Sequence, residues 1–146
     1  MQGLMMDFSL DTQAILRRGG QIFADREVVT RLSDGSYHRY SFAQLERRVH
    51  RLINALRSLG IQPGDRVATF CWNHYRHLEL YFAISSMGAV LHTLNIRLSS
   101  DQLEYIINHA DDKVIFVDSS LLELLEPLQP NCPGVSHYVV IDEQDQ

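Results

Sequence analysis

An aromatic, an amide and an imidazole side chain follow one another at Trp72, Asn73 and His74, directly after an apolar run at residues 67–71. An aromatic ring offers a stacking face, and the other two groups offer hydrogen bonds, as in small-molecule sites. In open α/β sheets, ligands bind beyond the carboxyl ends of the strands, where the strand order reverses. Trp72, Asn73 and His74 are therefore pocket candidates, and we assign no cofactor-binding residue and no cofactor to this chain by itself. The structural alternative is that Trp72 is partly core and that Asn73 caps the next helix through its side-chain oxygen.

The same rule singles out the residues that follow two later apolar runs. Leu94 and Asn95 follow the run at residues 90–93, and Asp118 and Ser119 follow the run at residues 114–117. The rule therefore points to these positions as well as to residues 72–74.

Metal and nucleophile chemistry have weaker support. His74 and His77 lie one helical turn apart, but no acidic residue completes a pattern such as HExxH, so ordinary helix-start histidines are favoured over a metal site. No serine lies in a G-x-S-x-G nucleophile elbow. The carboxylate pair Asp111 and Asp112 precedes Lys113 and an apolar run, which favours a solvated turn. We therefore predict no metal ligand in this chain.

The elements that must position the candidate site centre on residues 64–98. Two apolar runs, at residues 67–71 and 90–93, flank a helical stretch at 77–87. Neither run alternates with polar residues, which is typical of parallel strands covered on both faces. The crossover between them is long enough for a parallel pair. This predicts a parallel sheet with helices on both sides.

The flanking segments complete a three-layer α/β fold. Asp34-Gly35 between two strand-like runs predicts an N-terminal β-hairpin. Ser41 with Gln44 predicts a capping box and a helix that Gly60 ends. Further predicted elements are a helix capped by Ser99 and Gln102, a strand at 114–117, a short helix at 121–125 and a strand at 137–141. The predicted division is an arm and helix at residues 1–26 and an α/β subdomain at 27–146.

The first 26 residues carry two less regular predictions. A helix can start at Asp11 or Thr12, but Gly19 and Gly20 cost about 1 kcal/mol each relative to alanine, so we expect a break or bend there. Residues 1–10 form an apolar arm that suggests contact with another chain, hence a possible homodimer, or plain disorder.

Composition excludes several classes of function. The net charge is −5 and the pI is about 5.7, which argues against nucleic-acid binding. Arg47, Arg48 and Arg51 are interpreted as a solvated helix face. The two cysteines form no CxxC pair. The longest apolar stretch, residues 80–94, is too short and interrupted for a transmembrane segment, and no secretory signal is visible. A cytoplasmic protein is expected.

The central stretch also resembles a known family. Its motifs are Gly-Asp-Arg-Val at 64–67, Asn-His at 73–74, Leu-Glu-Leu-Tyr-Phe-Ala at 78–83, Met-Gly-Ala-Val-Leu-His-Thr at 87–93 and Asn-Ile-Arg-Leu at 95–98. In order and spacing they resemble the N-terminal portion of medium- and long-chain fatty-acyl-CoA synthetases, members of the adenylate-forming superfamily of acyl-CoA ligases, adenylation domains and luciferases. The resemblance runs from about residue 16 to about residue 143. The family commonly has proline where this chain has Ile96.

The resemblance implies that this chain is the opening quarter or so of an enzyme that activates a fatty acid with ATP and Mg²⁺ and transfers it to CoA. It also implies that the phosphate-binding loop, the adenine and magnesium motifs and the catalytic lysine lie downstream of the matched region. None of the family's catalytic residues can be placed on this chain, which would then be scaffold. The alternatives are a free-standing flavodoxin-like nucleotide-binding module and an interaction module.

Overall fold

Two sheets organise the residues that the computed structural model describes, which are 7–8 and 11–142. The strands are β1 (Glu27–Arg31), β2 (Tyr37–Ser41), β3 (Arg66–Phe70), β4 (Val90–Thr93), β5 (Asp112–Asp118) and β6 (His137–Ile141). The helices are α1 (Thr12–Ile22), α2 (Phe42–Ser58), α3 (Tyr75–Ser86), α4 (Ser100–Ala110) and α5 (Leu122–Leu125), with 3₁₀ turns at Ser119–Leu121 and Glu126–Asn131.

The larger sheet has the strand order β4-β3-β5-β6, and every neighbouring pair is parallel. The chain passes from β3 to β4 on one side and returns to β5 on the other side of β3. The strand order therefore reverses between β3 and β5, whose carboxyl ends form the crevice where open α/β sheets bind ligands. β1 and β2 form the antiparallel hairpin. The predicted parallel sheet and hairpin are confirmed.

Helices cover both faces of this sheet, as predicted for a three-layer fold. On one face, side chains of α1, α2, α3 and the hairpin pack with β3 and β5 around Leu45, Leu80 and Val114. On the other face, α4 and α5 pack around Phe70, Ile107 and Leu125. Within residues 11–142, no helix combines the length and the apolar character that crossing a bilayer requires.

The capping signals in the sequence are reproduced in the structure. The Gln44 N–H donates to Ser41 Oγ over 3.2 Å, and the Ser41 N–H donates to Gln44 Oε1 over 2.7 Å, which completes the capping box of α2. The Ser99 N–H donates to Gln102 Oε1 over 3.2 Å at the start of α4. Local polar spacing therefore sets where both helices begin.

Of the break or bend expected at Gly19 and Gly20, the break is wrong, because α1 runs through both residues. A Cβ on Gly19 would lie 2.9 Å from Phe42 Cδ1, and a Cβ on Gly20 would lie 2.0 Å from Glu46 Oε2. The two glycines let α1 approach α2 closely. Packing between the helices therefore outweighs the low helix propensity of glycine.

Replacing Gly19 with valine is expected to lower the free energy of unfolding by about 1–3 kcal/mol, since the added methyl groups must displace the Phe42 ring. Gly20→Ala is the matched control. Its new Cβ meets first the carboxylate end of Glu46, which can rotate away, and then Glu46 Cβ at 3.1 Å, which needs a shift of a few tenths of an ångström. The gain in helix propensity offsets this cost, so a change within about 1 kcal/mol is expected. Urea denaturation measures both. A Gly19→Val chain as stable as the parent would contradict the close approach of α1 to α2.

Most of the predicted arm lies outside the described residues. Within it the structure describes Asp7 and Phe8, and Phe8 is exposed. The homodimer contact predicted for the arm stays a prediction.

Candidate functional site

A cleft of about 960 Å³ opens at the carboxyl ends of β3 and β5. Its walls are the hairpin turn at residues 31–34, the β3–α3 segment at residues 72–76, Ser119, Ser120 and Asp142. This is the crevice that the reversal of strand order predicts. Trp72, Asn73, His74 and Ser119, all predicted from the sequence, line it together.

Asp118, the last residue of β5, holds the two loops of the cleft together. Its side chain is 0% exposed. One carboxylate oxygen accepts the Trp72 N–H over 2.6 Å, and the other lies 2.8 Å from His74 Nε2. The Trp72 indole N–H also donates to Ser120 Oγ over 3.2 Å. The end of β3 is thus tied to the end of β5 through buried, charge-assisted hydrogen bonds.

His74 is the N-cap of α3. Its Nδ1 accepts the His77 N–H over 3.1 Å, so this nitrogen carries no proton. The hydrogen must then lie on Nε2, which donates it to Asp118. The alternative in which Asn73 caps this helix is wrong, because the imidazole of the next residue occupies the capping position. The helix begins at Tyr75, two residues earlier than the sequence pattern predicts.

His77 is buried beneath the same loop. The Trp72 carbonyl lies 3.0 Å from His77 Nδ1 and can only accept, so Nδ1 carries the hydrogen. Nε2 then accepts from the Thr69 hydroxyl over 3.0 Å. Burial lowers the pKa of His77 below its usual value of 6.5, and the network therefore requires the neutral imidazole. His74 and His77 thus both make hydrogen bonds at the start of α3. No group of potential ligands able to hold a metal occurs among the described residues.

The stability of the chain is expected to fall on acidification because of His77. Its pKa is lower in the folded state, so the unfolded state binds more protons below about pH 6.5. The contribution of His77 is present above that pH and is lost as the pH falls through it. Urea denaturation at pH 7.5 and pH 5.5 should show a smaller loss for His77→Gln than for the parent. Equal losses in the two proteins would contradict a neutral, buried His77.

Trp72 and Asn73 present their side chains to the cleft. Trp72 is 48% exposed, so the alternative that placed it partly in the core is wrong. Asn73 is exposed at the cleft wall. Their role in binding a ligand stays a prediction.

The residues after β4 do not reach the cleft, because β4 lies on the far side of β3. Leu94 is 4% exposed and belongs to the core. Asn95 accepts the Arg97 N–H through Oδ1 over 3.0 Å and closes a local turn.

The solvated turn predicted at Asp111 and Asp112 is confirmed for Asp111 and wrong for Asp112. Asp111 is exposed, has φ 57° and accepts from Lys113 Nζ at 2.8 Å. Asp112 is 1% exposed, and its two oxygens lie 3.0 and 2.8 Å from His92 Nδ1. Burial raises the pKa of Asp112. This pair lies at the start of β5, at the opposite end of the strand from the cleft.

Sequence reasoning missed the part of the cleft that the hairpin supplies. Arg31 and Asp34 reach it because the hairpin packs on α2 and α3, a long-range contact without a local signal. Arg76, in the first turn of α3, donates to the Asp142 carbonyl and brings the end of β6 to the cleft. The sequence signal that could have identified Arg76 is its position two residues after His74, the last of the three candidate residues.

The geometry favours a structural over a catalytic role for the buried polar groups. Both nitrogens of His74 and both oxygens of Asp118 are already engaged. Proton transfer to a molecule in the cleft would break the cap of α3 or the tie between the strands.

Comparison with known proteins places this arrangement in a family. The family model described as AMP-binding enzyme matches residues 16–146. A long-chain-fatty-acid–CoA ligase of Thermus thermophilus is 49% identical over 140 residues, covering 96% of this chain and 26% of that ligase. A medium-chain-fatty-acid–CoA ligase of Ectopseudomonas oleovorans is 37% identical over 141 residues, covering 97% of this chain and 26% of that ligase.

The fold agrees with a solved structure. The anthranilate CoA ligase AuaEII, crystallised in complex with anthranoyl-AMP, matches with a TM-score of 0.84 and 25% identity, over 97% of this chain and 27% of that one. The chain thus spans about a quarter of the length of these relatives. The family match covers most of the sequence, and this chain belongs to the AMP-binding enzyme family.

Proposed function

We propose that this chain is the N-terminal part of an ATP-dependent acyl-CoA ligase that acts on a medium- or long-chain fatty acid. The observation that carries the proposal is the 49% identity to the Thermus thermophilus long-chain ligase over 96% of the chain. In the complete enzyme, the fatty-acid carboxylate would attack ATP to give an acyl-adenylate and pyrophosphate. The acyl group would then pass to CoA. Mg²⁺ would accompany the ATP.

The part played by these residues would be to support the remainder of the enzyme. The Asp118 network fixes the ends of β3 and β5 relative to each other, and the helices bury both faces of the sheet. Preorganisation of this kind matters because small displacements of positioned groups reduce catalysis strongly.

A hybrid ligase tests the proposal. The segment of the Thermus thermophilus enzyme that aligns with this chain is replaced by this chain, and acyl-CoA formation is measured with octanoate, dodecanoate and palmitate. We expect the hybrid to form acyl-CoA, whereas the Thermus enzyme without its own segment should not. A hybrid that folds, as judged by circular dichroism, but forms no product with any of the three acids would contradict the proposal.

We also propose that residues 1–10 mediate a homodimer. Leu4, Met5, Met6, Phe8 and Leu10 make this arm too apolar to be simply solvated, and exposed apolar segments usually mark contact sites. Deleting residues 1–10 is expected to lower the mass measured by light scattering from dimer to monomer. An unchanged mass would contradict the contact.

A further inference from the structure

The outward face of α2 carries a row of basic side chains, which we call the α2 basic face. Arg47, His50, Arg51 and Arg57 are all exposed. None of them forms an ion pair or hydrogen bond with another described residue. Arg47 and Arg51 are one helical turn apart and therefore lie side by side. The row from residue 47 to residue 57 is about 15 Å long.

The structure of α2 itself does not use these side chains. The opposite side of the helix packs in the core through Leu45, Val49, Ile53 and Leu56. Arg48 is different, because its Nε lies 2.6 Å from the buried carboxylate of Glu79. Glu46 is the only acidic residue of α2 and lies against Gly20 of α1. Among residues 7–8 and 11–142, no acidic side chain therefore pairs with the α2 basic face, although the chain as a whole has a net charge of −5.

We propose that the α2 basic face binds an anionic phospholipid surface. Guanidinium groups suit phosphate because they donate two parallel hydrogen bonds to it. A row of separate cations along an exposed helix matches a plane of headgroups better than one small anion, which needs groups that converge. Each basic side chain near an anionic lipid surface is attracted to it, so a row of such side chains binds the surface more strongly than one alone.

The proposal rests on the proposed function for its purpose. A fatty acid partitions into bilayers because its chain is apolar, so a ligase held at the lipid surface meets its substrate there. The acidic remainder of the chain would be repelled by the same surface, and this repulsion would favour the orientation with α2 toward the lipid. An acidic protein is the rival occupant of this face.

Vesicle sedimentation tests the proposal on the chain itself. Vesicles of phosphatidylcholine with phosphatidylglycerol are compared with vesicles of phosphatidylcholine alone, each at low and high salt. We expect binding only to the anionic vesicles, lost at high salt. Each arginine near such a surface contributes about fivefold to binding, so Arg47→Gln with Arg51→Gln should weaken it about 25-fold.

A matched control separates the α2 basic face from total charge. Arg26→Gln with Arg97→Gln removes the same charge from the segment before β1 and from the β4–α4 loop, where both arginines are exposed, and should leave vesicle binding within about twofold, since neither lies on α2. Equal weakening by both double variants, or equal binding to both vesicle types, would overturn the proposal. Tighter binding to soluble polyglutamate than to anionic vesicles would overturn it in favour of an acidic protein.

Vesicle binding requires no catalysis. A chain that does not bind vesicles would therefore not contradict the ligase proposal. Likewise, an inactive hybrid ligase would not contradict vesicle binding by the α2 basic face.

Discussion

Replacing Asp118 with alanine is expected to lower the free energy of unfolding by about 3 kcal/mol. The substitution leaves the Trp72 N–H and the His74 Nε2–H without the acceptors they have in the folded chain. A buried polar group that loses its partner costs about 1–3 kcal/mol. The side chain of Asp118 is 0% exposed, so water cannot replace the lost acceptor without rearrangement of the loops.

The control for this substitution is Asp118→Asn, which keeps the shape and one acceptor oxygen. We expect a loss of stability between zero and that of Asp118→Ala. The asparagine NH₂ group takes the place of one carboxylate oxygen, so it faces a hydrogen-bond donor that this oxygen accepted from. Urea denaturation followed by Trp72 fluorescence measures both variants, and Trp72 is the only tryptophan of the chain. An Asp118→Ala chain with the parent's midpoint would mean that the tie between β3 and β5 contributes nothing to stability.

The isolated chain of 146 residues is expected to catalyse no ATP–pyrophosphate exchange. Triphosphate binding needs several converging donors, often with a lysine. The only lysine, Lys113, binds Asp111 at the start of β5, away from the cleft. Orienting a carboxylate against the α-phosphate is worth roughly 7–11 kcal/mol of barrier in well-aligned systems. A chain without that arrangement should react many orders of magnitude more slowly than a complete ligase.

The assay uses a fatty acid, ATP and Mg²⁺ with the purified chain, a blank without protein and the Thermus thermophilus ligase as positive control. The blank and the chain should give the same rate. Exchange above the blank that survives further purification and disappears when Trp72, Asn73 and His74 are all replaced by alanine would mean that the cleft is a catalytic site.

Elements with a local signal could be predicted from the sequence. Ser41 with Gln44 set the start of α2, because the reciprocal bonds join residues three positions apart. Unbroken apolar runs indicated β3 and β5, since parallel strands are buried on both faces. The trio at residues 72–74 was found because it follows such a run.

The errors share a physical cause, which is contact with distant residues. Gly19 and Gly20 stay helical because of Phe42 and Glu46. His74 displaces Asn73 as the helix cap while Asp118, 44 positions away, holds its ring. No window of local sequence contains these partners.

The position of β3 in the sheet has a consequence for the order in which the chain can fold. Phe70 of β3 pairs with Val117 of β5. One edge of this apolar strand therefore stays unpaired until the ribosome has synthesised the chain as far as β5. At about 5–20 residues per second, that interval lasts several seconds. An open, apolar strand edge is a template for aggregation. Nascent chains that stop before β5 should therefore be the species that most need a chaperone.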